Sequence, residues 1–155
     1  MTERPARASI VSGYFGPLHQ GHLDMIEAAR ARTGYLIVIV NNDAQQTLKK
    51  GRVIQGDVHR ARIVGALRVV DDVIVAVDDG PSIARSLDAV RAAYPDTELE
   101  FCNGGDRKDI DSLPADEVES AQRNRISMHY GIGGYAKADS SSRLLAAMNE
   151  DAPRA

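Results

Sequence analysis

The chain of 155 residues has one cysteine, no long apolar run and no excess of positive charge. The single cysteine, Cys102, excludes an intramolecular disulfide and any metal site built from several cysteines, and this usage predicts a cytoplasmic protein. No apolar run approaches the roughly 18 residues of a membrane-spanning helix, so no membrane partner is expected. The formal charge of −3 argues against nucleic acid as a partner, because proteins that bind polyanions usually carry a basic excess.

Three familiar motifs are missing as well. The chain has no G-x-x-x-x-G-K-[ST] segment, which argues against P-loop chemistry. It has no G-x-G-x-x-G after its first predicted strand, which argues against a nicotinamide or flavin dinucleotide. It also lacks the G-x-S-x-G turn that presents a nucleophilic serine. The sequence therefore supports none of these three classes of enzyme.

Short apolar runs alternate with longer amphipathic segments, which predicts one α/β domain over residues 1–155. The predicted strands cover residues 8–13, 35–40, 72–77, 99–102 and 126–131. The predicted helices cover residues 21–32, 58–69, 81–93, 114–124 and 140–149, and a frayed tail follows at 150–155. Because strands and helices alternate, we expect a doubly wound, parallel five-stranded sheet that is covered by helices on both sides.

Residues 13–22 form the densest group of chemically distinctive side chains. They lie between the first predicted strand and the next helix, at the edge where doubly wound folds bind ligands. Gly13 and Gly16 let a ligand approach the main chain, and the helix start supplies free N–H groups for an anion. His19 and His22 are three residues apart, so their rings can point to one side of the first turn. Either histidine alone is more often an ordinary polar residue near a turn. Two imidazole donors in this glycine frame suit a phosphate that gains negative charge during a reaction.

The run G-Y-F-G-P-L-H-Q-G-H at 13–22 resembles the G-x-F-D-x-x-H-x-G-H signature of the nucleotidyltransferase superfamily, which includes cytidylyltransferases and adenylyltransferases. Gly16 stands where that frame has an aspartate. Further segments resemble, in the same order, pieces of glycerol-3-phosphate cytidylyltransferases and heptose-phosphate adenylyltransferases. They are Asn41-Asn42-Asp43 followed by Lys49-Lys50-Gly51, Arg60 and Arg68 in an R-x-x-I…L-R-x-V-D pattern, Gly104-Gly105-Asp106, and Ser140-Ser141-Ser142. The resemblance covers nearly the whole chain.

The resemblance implies a Rossmann-like fold and a nucleotidyltransferase reaction. A phosphorylated small molecule would attack the α-phosphate of a nucleoside triphosphate, and pyrophosphate would leave. His19, His22 and Lys49 would be catalytic. One of Lys49 and Lys50 is expected to be a solvated charge, and Lys49 is expected to be the functional one because its spacing from Arg60 matches the family. The residues expected to bind the nucleotide are Gly13, Tyr14, Phe15, Gly16, Gly105, Asp106, Lys137, Ser140, Ser141 and Ser142.

The resemblance also implies partners. Arg60 and Arg68 would bind the phosphate of the acceptor, since guanidinium groups hold phosphate in a bidentate way. Mg²⁺ would bridge the triphosphate with few protein ligands, and the chain would form a homodimer. CTP is favoured over ATP as the donor, because the spacing of Lys49 and the short single domain resemble the branch that uses CTP. The stretch R-A-R-I-V-G-A-L-R-V-V-D at 60–71 resembles the heptose branch, which uses ATP, equally well. The acceptor is expected to be a polyol phosphate, a sugar phosphate, or a phosphorylated amine or amino acid, and the sequence does not separate these.

Two other functions stay open at this point. Gly16, together with the absence of the arginine and threonine that open the family's last motif, suggests a nucleotide-binding module without turnover. Binding alone, however, would not require both histidines. His19 and His22 could instead be ligands of a metal-dependent hydrolase, but the sequence shows no suitable third ligand nearby.

Overall fold

The computed structural model describes residues 4–104, 113–134 and 141–150, and these ranges contain five strands and six helices. The strands are β1 (Arg7–Gly13), β2 (Leu36–Val40), β3 (Asp72–Val75), β4 (Glu98–Cys102) and β5 (Ile126–His129). The helices are α1 (Gln20–Thr33), α2 (Asp43–Lys50), α3 (Asp57–Gly65), α4 (Ala84–Ala93), α5 (Ala115–Arg123) and α6 (Ser141–Glu150). None of the helices in these ranges combines the length and the apolar character that crossing a membrane takes.

All five strands join one parallel sheet in the order β3-β2-β1-β4-β5, which confirms the predicted doubly wound architecture. Strand β2 is buried along its whole length, because a central parallel strand is covered on both faces. Helices α4 and α5 pack on one face through Leu87, Val90 and Ala121, and α1 and α3 pack on the other through Ile26 and Val64. The strand order reverses between β1 and β4, so the crevice expected for a ligand lies at the carboxyl ends of these two strands.

Helix α2 differs from the prediction, which treats residues 41–51 as a polar loop. Its N-cap Asn42 accepts the N–H of Gln45 at 2.9 Å, and the Gln45 side chain accepts the N–H of Asn42 at 3.0 Å. This reciprocal capping box starts the helix. The buried residues of α2 are Gln45 and Gln46, whereas Leu48 is exposed. Apolar periodicity cannot reveal a helix with a polar buried face, and the N-x-x-Q spacing is the signal that could have done so.

Two other helices are shorter than predicted. The helix expected over 58–69 ends at Gly65, so residues 66–71 form the turn into β3. The helix expected over 81–93 begins at Ala84, and the carboxylate of Asp78 accepts the N–H groups of Arg85 and Ser86 in its first turn. The N-cap of α4 is Ile83, so Asp78 supplies from outside the helix the acceptors that the first-turn N–H groups lack within it.

Asn42 and Gln45 also hold the connection between β3 and α4. Asn42 donates from Nδ2 to the carbonyls of Ala76 and Asp78, at 3.0 and 2.7 Å. Gln45 donates from Nε2 to the carbonyl of Ser82 at 3.0 Å. Because buried carbonyls lose their water when the chain folds, these side chains supply the donors that replace it. Helix α2 therefore ties the β3–α4 connection to the carboxyl edge of the sheet.

Replacing Asn42 with alanine should lower the free energy of unfolding by about 2 kcal/mol, because the variant loses the N-cap of α2 and both donors to the β3–α4 connection. Urea unfolding followed by circular dichroism should give a lower midpoint at an unchanged slope. Gln122→Ala, at an exposed position of α5, is the matched control and should stay within about 0.5 kcal/mol of the wild type. Equal midpoints for the two variants would contradict the structural role of Asn42.

Candidate active site

The candidate site starts at the carboxyl end of β1, where the chain turns tightly around the ring of Phe15. Gly13, the last residue of β1, lies directly against this ring, and a Cβ at position 13 would be 3.0 Å from Phe15 Cζ. Phe15 has a positive φ of 52°, which is uncommon for a residue with a side chain, and its ring is buried in the core beside α1. The glycine and the buried ring together determine the course of the loop before α1.

The structure brings His19 and His22 together at the start of α1. His19 is the N-cap, and its N–H donates to Nδ1 of His22 at 3.2 Å. The two rings stack with centroids 3.7 Å apart and an angle of 23° between their planes. The ring of Phe15 meets His22 in an edge-on contact with centroids 4.9 Å apart. Because Nδ1 of His22 accepts a hydrogen bond, Nε2 is the nitrogen of the neutral ring that carries the proton and can donate to a ligand.

The first turn of α1 adds a favourable environment for an anion. The first N–H groups of an α-helix have no acceptor within the helix, and they carry the positive end of the helix dipole. All of α1 is described, and its first turn contains no acidic residue. A phosphate beside the two histidines would therefore meet imidazole donors and main-chain donors at the same place.

Two lysines at the end of α2 contact the loop between β1 and α1. Lys50 donates from Nζ to the carbonyl of Gly16 at 3.0 Å. Burial, reinforced by the charges of Lys49 and Arg60, lowers the pKa of Lys50. Lys49 is exposed, and its Nζ lies 4.7 Å from the centroid of the Tyr14 ring, within the range of a cation–π contact. Lys49 is thus the ammonium group that can reach a ligand, while Lys50 holds the loop, a role that its spacing in the sequence did not reveal.

Arg60 does not face the crevice. Its side chain has no exposed surface. The guanidinium donates to the carbonyls of Gln55 at 2.7 Å, Tyr14 at 2.8 Å and Asn41 at 2.7 Å, and to Oδ1 of Asp43 at 3.1 Å. A guanidinium that is occupied and buried in this way cannot also bind an acceptor. This position corrects the expectation that Arg60 binds the phosphate of the acceptor directly.

Arg68 lies beside the amino ends of the strands, whereas the histidines lie beside the carboxyl ends. It is exposed and precedes the amino end of β3, whereas His19 follows the carboxyl end of β1. The N–H of Asp71, three residues after Arg68, donates to the carbonyl of Leu36 at the start of β2. In a parallel sheet all amino ends lie on one side and all carboxyl ends on the other, so a residue before one strand is far from a residue after another. This placement corrects the expectation that Arg68 belongs to the site.

The ends of β4 and β5 complete the described part of the crevice. A Cβ on Gly104 would be 3.1 Å from Sδ of Met25 in α1, and a Cβ on Gly133 would be 3.0 Å from Cα of Met25. Both connections therefore pack closely against α1. Among the residues expected to bind the nucleotide, Gly105, Asp106, Lys137 and Ser140 lie outside the described residues. Ser141 and Ser142 open α6, and their side chains also lie outside the described part.

Comparison with known proteins relates most of the chain to one family. A family model described as cytidylyltransferase-like matches residues 10–125. The bifunctional protein HldE of Gluconobacter oxydans is 32% identical over 117 residues, which cover 74% of this chain and 23% of that protein. The bifunctional protein HldE of Hyphomonas neptunium is 36% identical over 116 residues, which cover 74% of this chain and 22% of that protein. The chain spans about a quarter of the length of these curated relatives.

Two solved structures share the fold at low sequence identity. The lipopolysaccharide core biosynthesis protein from Thermoplasma volcanium GSS1 aligns with a TM-score of 0.62 at 19% identity, over 86% of this chain and 98% of that one. Thermotoga maritima TmcAL bound with alpha-thio ATP aligns with a TM-score of 0.64 at 15% identity, over 94% of this chain and 51% of that one. At these identities the likeness concerns the fold.

Lys50→Met should lower the free energy of unfolding by about 1 kcal/mol, because the half-buried ammonium loses its hydrogen bond to the Gly16 carbonyl. Lys49→Met is the matched control for stability and should stay within about 0.5 kcal/mol of the wild type, since Lys49 is exposed. Chemical unfolding of the three proteins in parallel measures the difference. If both variants lose the same stability, the two lysines do not divide their roles as the structure indicates.

Proposed function

Because the chain belongs to the cytidylyltransferase-like family, we propose that it is a nucleotidyltransferase that moves a nucleoside monophosphate from a nucleoside triphosphate to a phosphorylated small molecule. The observation that supports this proposal most directly is the stacked pair of His19 and His22 at the start of α1, which follows the carboxyl end of β1. The crevice between β1 and β4 is where a doubly wound sheet binds nucleotides.

In the proposed reaction, a phosphate oxygen of the acceptor attacks the α-phosphorus of the donor. The bond between that phosphorus and the oxygen bridging to the β-phosphate breaks, and pyrophosphate leaves. No covalent intermediate forms on the chain, so no side chain has to act as a nucleophile. Catalysis then depends on holding the two reactants in line and on stabilising the charge of the transition state.

The histidine pair supplies fixed donors for that charge. His22 donates from Nε2, since its Nδ1 accepts the N–H of His19. The stacked ring of His19 lies beside it and faces the same phosphate region in this proposal. Because the rings are held in place by each other and by Phe15 before any ligand binds, they stabilise the transition state without reorganisation.

Lys49 supplies a positive charge at the loop, next to Tyr14. A lysine acts there as a point charge that neutralises phosphate oxygens. The main chain from Gly13 to Gly16 approaches the nucleotide. The other nucleotide-binding residues of the proposal come from the family resemblance and are Gly105, Asp106, Lys137, Ser140, Ser141 and Ser142.

A magnesium ion fits this arrangement as a companion of the triphosphate. In the described ranges, no group of three or more His, Cys, Asp or Glu side chains could hold a metal ion. Asp43, which follows β2, is already engaged by Arg60 and by the N–H of Asp57. Mg²⁺ takes few protein ligands when phosphates bind it, so the donor's phosphates and water would be its main ligands, and it would neutralise their charge.

We propose CTP or ATP as the donor. The spacing of Lys49 resembles the branch of the family that uses CTP and favours that nucleotide. The structure of Thermotoga maritima TmcAL, which shares the fold, holds alpha-thio ATP, and this supports ATP as the competing candidate. A thermal-shift series with CTP, ATP, GTP and UTP in the presence of Mg²⁺ separates the bases, since a ligand at ~100 times its dissociation constant adds about 2.7 kcal/mol of stability.

A nucleotide-binding module without turnover is the second candidate function, because Gly16 replaces the aspartate of the family's frame. Pyrophosphate release separates the two functions. The stabilising nucleotide is incubated with polyol phosphates, sugar phosphates and phosphorylated amines and amino acids. A nucleotidyltransferase releases pyrophosphate only when its acceptor is present. Tight nucleotide binding with no release for any acceptor would favour the module.

His22→Ala should lower kcat by about 10²–10³, because the variant loses one donor to the charge that develops at the α-phosphate. The pyrophosphate assay measures this loss. His59→Ala is the matched control: His59 is exposed on α3, outside the proposed site, so this variant should keep the activity of the wild type. Turnover of His22→Ala within twofold of the wild type would refute the role assigned to His22.

A further inference from the structure

Arg60 is the largest fully buried side chain in the described part of the chain. A charge that is removed from water is costly unless hydrogen bonds and a counter-charge replace the water. Arg60 meets this requirement with acceptors from four segments: the loop after β1, the end of β2, the start of α2 and the connection before α3. The residues that provide these acceptors are Tyr14, Asn41, Asp43 and Gln55.

One of these contacts leads directly to the histidines. The carbonyl of Tyr14, which accepts from Nη1 of Arg60 at 2.8 Å, belongs to the peptide that joins Tyr14 to Phe15. Phe15 has a positive φ, and a residue with a side chain keeps this conformation only where its surroundings hold it. The ring of Phe15 contacts His22, which stacks on His19. A continuous series of contacts therefore runs from Arg60 to the two imidazoles.

Gly16 makes room for this arrangement. A Cβ at position 16 would lie 3.3 Å from Cδ of Arg60 and 3.3 Å from Nε2 of Gln46. The Arg60 stem and the Gln46 amide therefore pack closely against Gly16, the position where the family's frame has an aspartate. Among the described residues, the carboxylate that pairs with Arg60 comes instead from Asp43 of α2.

We propose that Arg60 is a positioning residue, which holds the Tyr14 carbonyl and, through Phe15, keeps the ring of His22 against His19. It acts on the reaction without touching either substrate. This inference rests on the proposed function for its kinetic readout alone. A residue that orients the donors of the transition state affects kcat, whereas a residue that binds the acceptor's phosphate affects the KM of the acceptor.

Arg60→Lys and Arg60→Met test this distinction. Lysine keeps the charge but cannot serve several acceptors with one planar fork, so Arg60→Lys should behave like Arg60→Met. We expect kcat to fall at least about tenfold in both variants, while the acceptor KM changes by less than about threefold. Arg62→Met is the matched control, because Arg62 is exposed on the same helix, and it should leave both constants unchanged. An acceptor KM raised tenfold at unchanged kcat would overturn the proposal.

Imidazole ¹H–¹⁵N spectra give a readout that does not depend on activity. In Arg60→Lys, the ring signals of His19 and His22 should shift, because the stacking and the hydrogen bond to Nδ1 loosen. The signal of His129, whose ring contacts Arg32, Ser127 and Glu100, serves as the internal control. Unchanged signals for His19 and His22 in a folded variant would also overturn the proposal. If the wild type transfers no nucleotide to any acceptor, the proposed function fails, and the spectra still decide the positioning role.

Gly16→Ala keeps the inference testable if both Arg60 variants fail to fold. The new methyl group would press on Cδ of Arg60 while every donor and acceptor of the guanidinium stays in the chain. We expect the His19 and His22 signals to move away from their wild-type positions, with a lower kcat and dispersed amide signals that show an intact fold. Wild-type histidine signals in Gly16→Ala would contradict the proposed series of contacts.

Discussion

The connections that form the candidate site converge on one buried positive charge, the guanidinium of Arg60. Main-chain carbonyls beyond the carboxyl ends of parallel strands have no further strand to pair with, and burial removes the water that would otherwise bind them. Arg60 donates to two such carbonyls, those of Tyr14 and Asn41, and also to the carbonyl of Gln55 in the connection between α2 and α3. The loop after β1, the end of β2 and the approach to α3 therefore depend on the same side chain for their hydrogen bonds.

Polar side chains of the neighbouring helices supply hydrogen bonds to other main-chain groups near the carboxyl ends of the strands. Asp43 and Asp57 cap each other's helices, since Oδ1 of Asp43 accepts the N–H of Asp57 at 2.8 Å and Oδ2 of Asp57 accepts the N–H of Asp43 at 2.9 Å. Asn42 and Gln45 serve the connection after β3. Polar side chains thus occupy positions that would carry apolar residues in an ordinary amphipathic helix, because this end of the sheet needs donors and acceptors more than apolar contact.

The site combines side chains that are held by contacts, the two imidazoles and Lys50, with one solvated side chain, Lys49. The two imidazoles are held by stacking and by Phe15, and Lys50 is held by the main chain of Gly16. Lys49 keeps its ammonium group in solvent beside Tyr14. This combination suits phosphoryl transfer, in which prearranged donors stabilise developing charge and a flexible cation follows the phosphates. Membership of the cytidylyltransferase-like family agrees with that chemistry.

The sequence by itself determined the number of strands and their succession along the chain, because apolar runs separated by amphipathic segments predict a parallel sheet. It also predicted that His19 and His22 lie together, because a spacing of three residues places two side chains on the same side of one helical turn. Only the tertiary structure decided the places of Arg60 and Arg68. Arg60 donates to the carbonyl of Tyr14, which is 46 residues away in the sequence. Arg68 precedes the amino end of β3, away from the carboxyl ends where the histidines lie. Spacing along the chain does not show whether a residue lies at the amino or the carboxyl ends of the strands, or whether a charge is buried. Both depend on contacts between segments that are distant in the sequence.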